Sequence, residues 1–215
     1  MYFFLILRRI RLAGPWFLCL LVACATVACS TSQAPRLFVM SPIPIPIPVA
    51  AAVPAAVSRD LSVFVREVQI PQYLERSQIV LRGTDHRIQL VDDAHWAGNL
   101  QQDLVRVLTE NLGVLLGSNR VYSTSRSSAL KPDFRVDVDI MRFERDSTGQ
   151  VVLVAHWWLM RGRDGALLDS QTVRLSGAFV PDRSYDALVA AMSAVFGDLA
   201  RAMSASIIRQ SSTPS

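Results

Sequence analysis

Two long stretches of this chain repeat apolar residues at helical spacing, and each predicts an amphipathic helix. Apolar side chains recur every three or four residues from 97 to 116 and again from 185 to 207, which places them on one face of a helix. Gly117 follows the first stretch and favours the left-handed backbone conformation in which helices often end. Asp92 or Asp93 precedes the same stretch and is a candidate for its N-cap.

The remaining segments show the two-residue period of β-strands. We predict strands over 61–66, 79–82, 87–91, 134–140, 150–160 and 167–179. The last three should form an antiparallel meander, because a tight-turn pair, Asp164-Gly165, separates its final two strands. A change of apolar parity at Ile140-Met141 predicts a bulge. The pattern predicts an α+β two-layer sandwich, a mostly antiparallel sheet with two long amphipathic helices packed on one face.

The first 29 residues have the organisation of an export signal. Three arginines within the first 11 residues precede an uncharged, mostly apolar run from 12 to 28. A signal anchor would be short at this length. The residues before Cys24 and Cys29 both look like a lipobox, the site at which bacterial lipoproteins are cleaved and acylated on cysteine. Leu21 makes the match at Cys24 the stronger one. Cleavage at Cys29, however, leaves no free thiol in the mature chain, whereas cleavage at Cys24 leaves that of Cys29. Both cysteines stay open as the site of lipidation.

A proline-rich run follows a short β-prone segment at 36–41. Alternating prolines between 42 and 57 favour an extended chain, so we predict a semi-rigid spacer there. The sequence therefore divides into four parts. These are a lipoprotein signal peptide (1–28), an anchor with a short β segment and a Pro/Ala-rich linker (29–59), a globular domain (60–209) and a flexible tail (210–215).

Charge and cysteine content narrow the function. The chain has 22 basic and 18 acidic residues, and three of the basic ones precede Cys29. The mature chain is thus close to neutral, which argues against a nucleic-acid partner because such binding needs a concentrated basic face. The three cysteines lie at 19, 24 and 29, so the globular part has none with which to form disulfides.

The sequence lacks a cluster of residues suited to catalysis or metal binding. Its histidines are His86, His95 and His156, and no two have the spacing that places a pair on one helix face. Asp137 and Asp139 share a strand face but are predicted to be solvated beside arginines. We therefore expect no catalytic residues, no metal and no cofactor other than a covalent N-terminal lipid.

A signature occupies residues 71–82, Pro-Gln-Tyr-Leu-Glu-Arg-Ser-Gln-Ile-Val-Leu-Arg. It resembles the Pro-x-Tyr-Leu-Asp-Arg-Pro-Gln-Ile-Val-x-Arg signature of the auxiliary lipoproteins of ABC-type transport systems, the PqiC-type family. Glu75 and Ser77 depart from that pattern, changes that affect turn stiffness more than chemistry. The matching residues are Pro71, Tyr73, Leu74, Arg76, Gln78, Ile79, Val80 and Arg82.

Further similarities follow in the order of the family. They lie at 95–100, 133–143, 152–159 and 185–193, so the resemblance extends over about 36–208. Segment 36–41 is similar to the one just downstream of the lipidated cysteine in the family, which favours Cys29 over Cys24.

The resemblance implies a non-enzymatic lipoprotein on the periplasmic face of the outer membrane. It would dock with an MCE-domain protein and inner-membrane transporter components in intermembrane lipid transport, and it leaves a homo-oligomer open. Neither Cys24 nor Cys29 is followed by Asp, the usual inner-membrane retention signal.

Two other functions are compatible with parts of the sequence. A periplasmic carrier that encloses an acyl chain would need a cavity between helices and sheet, where large residues such as Trp157 and Phe196 are expected instead. A hydrolase would need a nucleophile with a base. Our candidate partner interface is Tyr73, Leu74, Arg76 and Arg82; alternatively, Tyr73 and Leu74 only close the edge of the sheet.

Overall fold

The computed structural model describes residues 34–44, 61–84, 86–123 and 131–212. The export signal, Cys24, Cys29 and most of the proline-rich run lie outside them. Residues from Pro35 onward cluster as one compact unit. The described residues of this unit form eight strands and two α-helices. The strands are β1 (Arg36–Phe38), β2 (Val63–Gln69), β3 (Gln78–Arg82), β4 (Ile88–Trp96), β5 (Val121–Tyr122), β6 (Phe134–Arg145), β7 (Gln150–Arg161) and β8 (Leu167–Phe179), and the helices are α1 (Leu100–Leu116) and α2 (Tyr185–Ser211).

Strand β6 organises a sheet that forks. On one edge β6 pairs with β7 in antiparallel orientation, and β7 pairs with β8 in the same way. On its other edge β6 runs parallel first to β2, over 134–139, and then to β3 at Arg145. Beyond β2 lies β5, and beyond β3 lie β4 and β1. The predicted α+β sandwich is confirmed, and its sheet is mixed, with most of its paired residues in antiparallel ladders.

The predicted meander and bulge are present. Strand β7 lies between β6 and β8, as its apolar residues on both faces predicted. The register shifts between Ile140 and Arg142, the position at which the apolar parity changes. A bulge turns the side chains by one position, so Ile140 and Phe143 both point into the core and are at most 1% exposed.

Both helices cover one face of the sheet and contact each other. Helix α1 packs on β2 and β5, and α2 packs on β6, β7 and β8. Among the described residues, α2 has the length and composition of a membrane-crossing helix, but 61% of its most apolar window is buried in this domain. Its apolar stripe is therefore used against the sheet, where Phe196 contacts Phe143 with ring centroids 6.0 Å apart.

The ends of the helices differ in part from the sequence prediction. Gly117 has φ 60° and ends α1, as predicted. The prediction that Asp92 or Asp93 caps α1 is wrong, because both residues lie in β4, which continues to Trp96. The N-cap is Asn99, whose side chain accepts a hydrogen bond from the backbone N–H of Gln102 at 2.9 Å. Helix α2 extends to Ser211, so the first two residues assigned to the tail are helical.

The start of the proline-rich run also differs from a simple spacer. Strand β1 pairs in parallel with β4, so the chain before the prolines is part of the sheet. The run consequently connects two strands of one domain, β1 and β2. We call residues 39–44 the strap. The side chain of Met40 in the strap is 1% exposed, and the backbone of the strap contacts both helices.

Helix side chains hold the strap by its backbone. The N–H of Met40 donates to Asp103 Oδ2 at 2.7 Å, and its carbonyl accepts from Arg106 at 2.9 Å. The N–H of Ile43 donates to Asn111 Oδ1 on α1, also at 2.7 Å.

Helix α2 holds the strap from the other side. Ser193 accepts from the N–H of Ser41 at 3.1 Å. Since proline has no N–H, every backbone donor from residue 40 to 44 has a side-chain acceptor. The alternation of prolines therefore fits a segment that lies across a helix pair.

We expect Gly197→Leu to displace the strap. A Cβ at Gly197 would lie 2.9 Å from Ile43 Cγ1, so leucine should destabilise the domain by about 1–3 kcal/mol through overpacking, despite its better helix propensity. Urea denaturation and limited proteolysis should both detect the change.

A second substitution, Ile43→Ala, should recover part of the loss by making room for the leucine. Gly98→Ala is the matched control, because a Cβ there meets nothing within 4 Å. Equal stability of wild type and Gly197→Leu would contradict a packed strap.

Candidate functional site

The signature segment occupies the fork of the sheet. Pro71, with φ −62°, ends the run of β2 and is followed by one 3₁₀ turn, Gln72–Leu74. The backbone N–H of Leu74 closes this turn on the carbonyl of Pro71 at 2.8 Å. The chain then re-enters the sheet as β3 on the same edge of β6. The signature thus spans the interval in which β6 has lost β2 and has not yet gained β3.

A buried carboxylate collects the polar side chains at this fork. Glu144 of β6 is 0% exposed. Its Oε2 accepts from the hydroxyl of Tyr73 at 2.7 Å, and its Oε1 accepts from Arg82 Nε and Arg142 Nε, each at 2.7 Å. Phe143 faces α2, so the next residue, Glu144, points to the face of the sheet without helices. We call Glu144, Tyr73, Arg82 and Arg142 the fork cluster.

Burial and hydrogen bonding oppose each other at Glu144. Burial alone would raise the pKa of its carboxyl group, but hydrogen bonds from Arg142, Arg82 and Tyr73 outweigh it and hold the pKa below the ordinary value of 4.5. Burial, followed by the hydrogen bond to Glu144, raises the pKa of Tyr73 to about 12. The cluster is therefore a carboxylate with two guanidinium groups and a neutral phenol, which stabilises structure but has no group poised to exchange a proton near neutral pH.

The four residues predicted as a partner interface fall into different environments. Leu74 is 2% exposed and packs in the core. Tyr73 is half-buried, and the guanidinium of Arg82 lies 5.8 Å from the centre of its ring. The side chain of Arg82 is 28% exposed, and Arg76 is exposed. Tyr73 and Leu74 thus close the sheet at the fork. Arg76 and part of the Arg82 side chain are accessible to solvent and could contact a partner.

Glu144 was missed by sequence reasoning. The predicted strand ends at Ile140 and that segment of the family resemblance ends at Phe143, so Glu144 lies beyond both. A signal was available, since Tyr73 and Arg82 of the signature are polar groups that need a partner when they are half-buried. Only the parallel placement of β3 beside β6 shows that this partner is Glu144.

The other polar candidates do not form a reactive centre. His86 lies in the turn before β4 and His95 near the far end of that strand, so the two do not meet across the hairpin. His156 is bonded to Thr172 and Ser170 at 2.6 and 2.8 Å. Among the described residues, no group of three or more His, Cys, Asp or Glu side chains could hold a metal ion.

Asp137 differs from the solvated carboxylate expected from the sequence. Its side chain is 10% exposed and is covered by Arg66, which binds both of its oxygens, at 2.7 and 2.5 Å. The pair joins β2 to β6 on the face without helices. A bidentate arginine makes this carboxylate part of the sheet rather than a free acid or base.

We expect Glu144→Gln to lower the free energy of unfolding by about 3–5 kcal/mol at neutral pH, because it leaves two partly buried guanidinium groups without their counter-charge. Tyr73→Phe removes one hydrogen bond to a charged group and should cost about 1.5–3 kcal/mol. Urea denaturation measures both. Asp198→Asn is the control, since its pair with Arg201 is more than half exposed on both sides and should contribute little.

The stability difference between the wild type and Glu144→Gln should depend on pH in a defined way. Because the pKa of Glu144 is lowered on folding, its stabilisation is complete above the ordinary value of 4.5 and is lost as the pH falls below it. Glu144→Gln lacks this contribution. The difference in stability between the two proteins should therefore narrow below pH 4.5, and a constant difference would argue against an ionised Glu144.

Known proteins share this fold and parts of this sequence. The intermembrane transport lipoproteins PqiC of Escherichia coli (strain K12) and of Shigella flexneri are each 26% identical over 147 residues, which cover 68% of this chain and 75% of each relative. The crystal structure of protein XCC0632 from Xanthomonas campestris matches with a TM-score of 0.61 at 17% identity, covering 84% of this chain and 98% of that one. A crystal structure of an uncharacterized protein matches with a TM-score of 0.64 at 19% identity and covers 81% of this chain and 99% of its own.

A family match extends over most of the described domain. The model of the ABC-type transport auxiliary lipoprotein component covers residues 45–204, from the proline-rich run into α2. This range contains the whole fork cluster, and the family resemblance carried by the signature is confirmed. The chain belongs to the ABC-type transport auxiliary lipoprotein family.

Proposed function

We propose that this protein is an outer-membrane lipoprotein, acylated on Cys29, that serves as a non-enzymatic docking subunit of an ABC/MCE-type intermembrane lipid transport system. The family supports the coarser part, an auxiliary lipoprotein of a transport system. The further steps rest on the packing of the domain and on the export signal.

The filled interface between helices and sheet is the observation that carries a docking role. Trp157 is 1% exposed, and Phe196 and Leu199 are 0% exposed. A carrier would need space there for an acyl chain, and such space would have to be made by moving residues that pack at the density of a protein interior. Clefts of about 310, 420 and 650 Å³ lie instead elsewhere: the first is a largely apolar cleft beside Val39 and Trp96, and the other two lie partly among charged side chains.

The face of the sheet without helices supports the same function. Half-buried Val154, His156, Trp158 and Met160 lie on this side of β7, and Met141 of β6 is 45% exposed. The fork cluster lies on this face. A mixed surface that presents aromatic and arginine side chains is suited to binding a protein, because such side chains contribute much of the energy of protein contacts.

Mass spectrometry of the mature N-terminus should find a diacylglycerol-modified and N-acylated Cys29. Cys29→Ser should release the protein from the membrane fraction, whereas Cys24→Ser should leave it attached. The reverse result would move the anchor to Cys24 without affecting the docking role.

Arg76 provides a test of the partner surface. When the lipidated protein is isolated from envelope extracts, we expect an MCE-domain protein to be recovered with it, and Arg76→Glu should reduce that recovery severalfold. The thermal midpoint should not change, because Arg76 is exposed. Arg163→Glu is the matched control on another part of the surface, with a side chain that is 63% exposed.

Arg82→Ala distinguishes a residue that also stabilises the fold from Arg76, which lies only at the surface. Since Arg82 binds the buried Glu144, this variant should lower both the stability of the domain and the recovery of the MCE-domain protein. Failure to recover any MCE-domain protein, with phospholipid bound to the purified protein instead, would favour the carrier.

A further inference from the structure

Two apolar side chains point outward at an edge of the sheet, Leu37 in β1 and Val39 directly after it, at the start of the strap. The neighbour of β1 among the described strands is β4, on one side only. Side chains alternate along a strand, and here Phe38 packs against the core and Met40 is buried. Leu37 and Val39 therefore point outward, and they are 65% and 54% exposed. Two large apolar residues on one outer edge are a candidate contact surface.

The short chain between Cys29 and β1 indicates what this edge contacts. Six residues separate Cys29 from Arg36, the first residue of β1. A fully extended chain of that length spans about 25 Å between the two Cα atoms. The proline-rich run follows β1 and adds nothing to this reach. On the proposed acylation of Cys29, the outer edge of β1 is thus held within about 25 Å of lipid headgroups.

Other exposed apolar residues serve for comparison. Leu167 and Phe179 of β8 are 61% and 65% exposed, so exposure alone does not distinguish them from Leu37. Strand β8 lies at the opposite edge of the sheet, five strand spacings from β1, or about 24 Å at 4.8 Å per spacing. The short tether therefore favours membrane contact at β1 and disfavours it at β8.

The surroundings of β1 fit an apolar contact with lipid rather than an electrostatic one. Arg36 is paired with Asp93 at 3.3 Å and lies over the ring of Tyr185. Asp92 is exposed beside them, so this edge has no excess of positive charge. Next to Val39, a cleft of about 310 Å³ continues the apolar surface inward to Trp96. Side chains of this kind bury favourably at the boundary between headgroups and acyl chains.

We propose that Leu37 and Val39 rest on the bilayer that holds the lipid anchor, so that β1 is the membrane-facing edge of the domain. This inference rests on the proposed anchor at Cys29 but not on any transport partner. It fixes an orientation in which the β8 edge points away from the membrane.

Single-cysteine labelling tests this orientation in the acylated full chain. The globular part has no cysteine, so Leu37→Cys or Val39→Cys gives one site for an environment-sensitive fluorophore. Leu167→Cys and Phe179→Cys are matched controls of equal exposure. The proteins are reconstituted into vesicles of phosphatidylethanolamine with a minor fraction of phosphatidylglycerol, with or without a quencher attached to the lipid acyl chain.

Probes at 37 and 39 should show blue-shifted emission and severalfold stronger quenching by the lipid-borne quencher than probes at 167 and 179. Equal quenching at all four positions, or none at any, would overturn the proposal. A blue shift without lipid quenching that grows with the surface density of protein would assign the edge to a second copy instead.

The result is separable from the proposed function. Acylation of Cys29 is established by mass before labelling, and the vesicles contain no transport partner. Loss of partner recovery in envelope extracts would therefore leave the quenching pattern unchanged. Conversely, a domain that stands clear of the bilayer would leave docking to a partner intact.

Discussion

The fold depends on how β6 changes partners along one edge. Strand β2 leaves β6 after Asp139 and β3 joins it at Arg145, so a stretch of the central strand would otherwise present an open edge in the middle of a sheet. Such an edge exposes backbone donors and acceptors and weakens the register of its neighbours. The signature closes it with one 3₁₀ turn, and the buried carboxylate of Glu144 binds Tyr73 in that turn and Arg82 at the end of β3. The spacing of Tyr73 and Arg82 in the sequence is the spacing needed to reach one carboxylate from two sides of the gap.

This arrangement explains which predictions from the sequence were correct. The helices, the meander and the bulge were confirmed because each is specified by the periodicity of neighbouring residues. The extent of β4 was underestimated because its middle carries exposed Asp92 and Asp93, which look like a helix start. The role of Glu144 was missed because it depends on residues 62 and 71 positions away in the chain, and no local pattern contains that information.

The strap is a second case in which contacts between distant residues could not be predicted from a local pattern. Alternating prolines predict an extended chain over 42–57, since proline restricts φ and removes donors. They did not show that the intervening donors are bound by Asp103, Ser193 and Asn111 across two helices. A segment with few amide donors is suited both to a spacer in solvent and to a surface where few acceptors are available. Only the pairing of β1 with β4 decides between these, because it places the chain before the prolines inside the domain.

The placement of β1 also limits how far the domain can lie from a lipid anchor at Cys29. If the proline-rich run were a spacer, the domain could reach tens of ångströms away from its anchor. Because β1 precedes the run, the link from Cys29 to the sheet has only six residues, so on the proposed anchor the domain lies at the membrane surface. In the described domain the interface between helices and sheet is filled, so an acyl chain there would have to displace packed residues. In the proposed docking role, any span between the two membranes comes from the partners, and this domain holds such a partner at the bilayer.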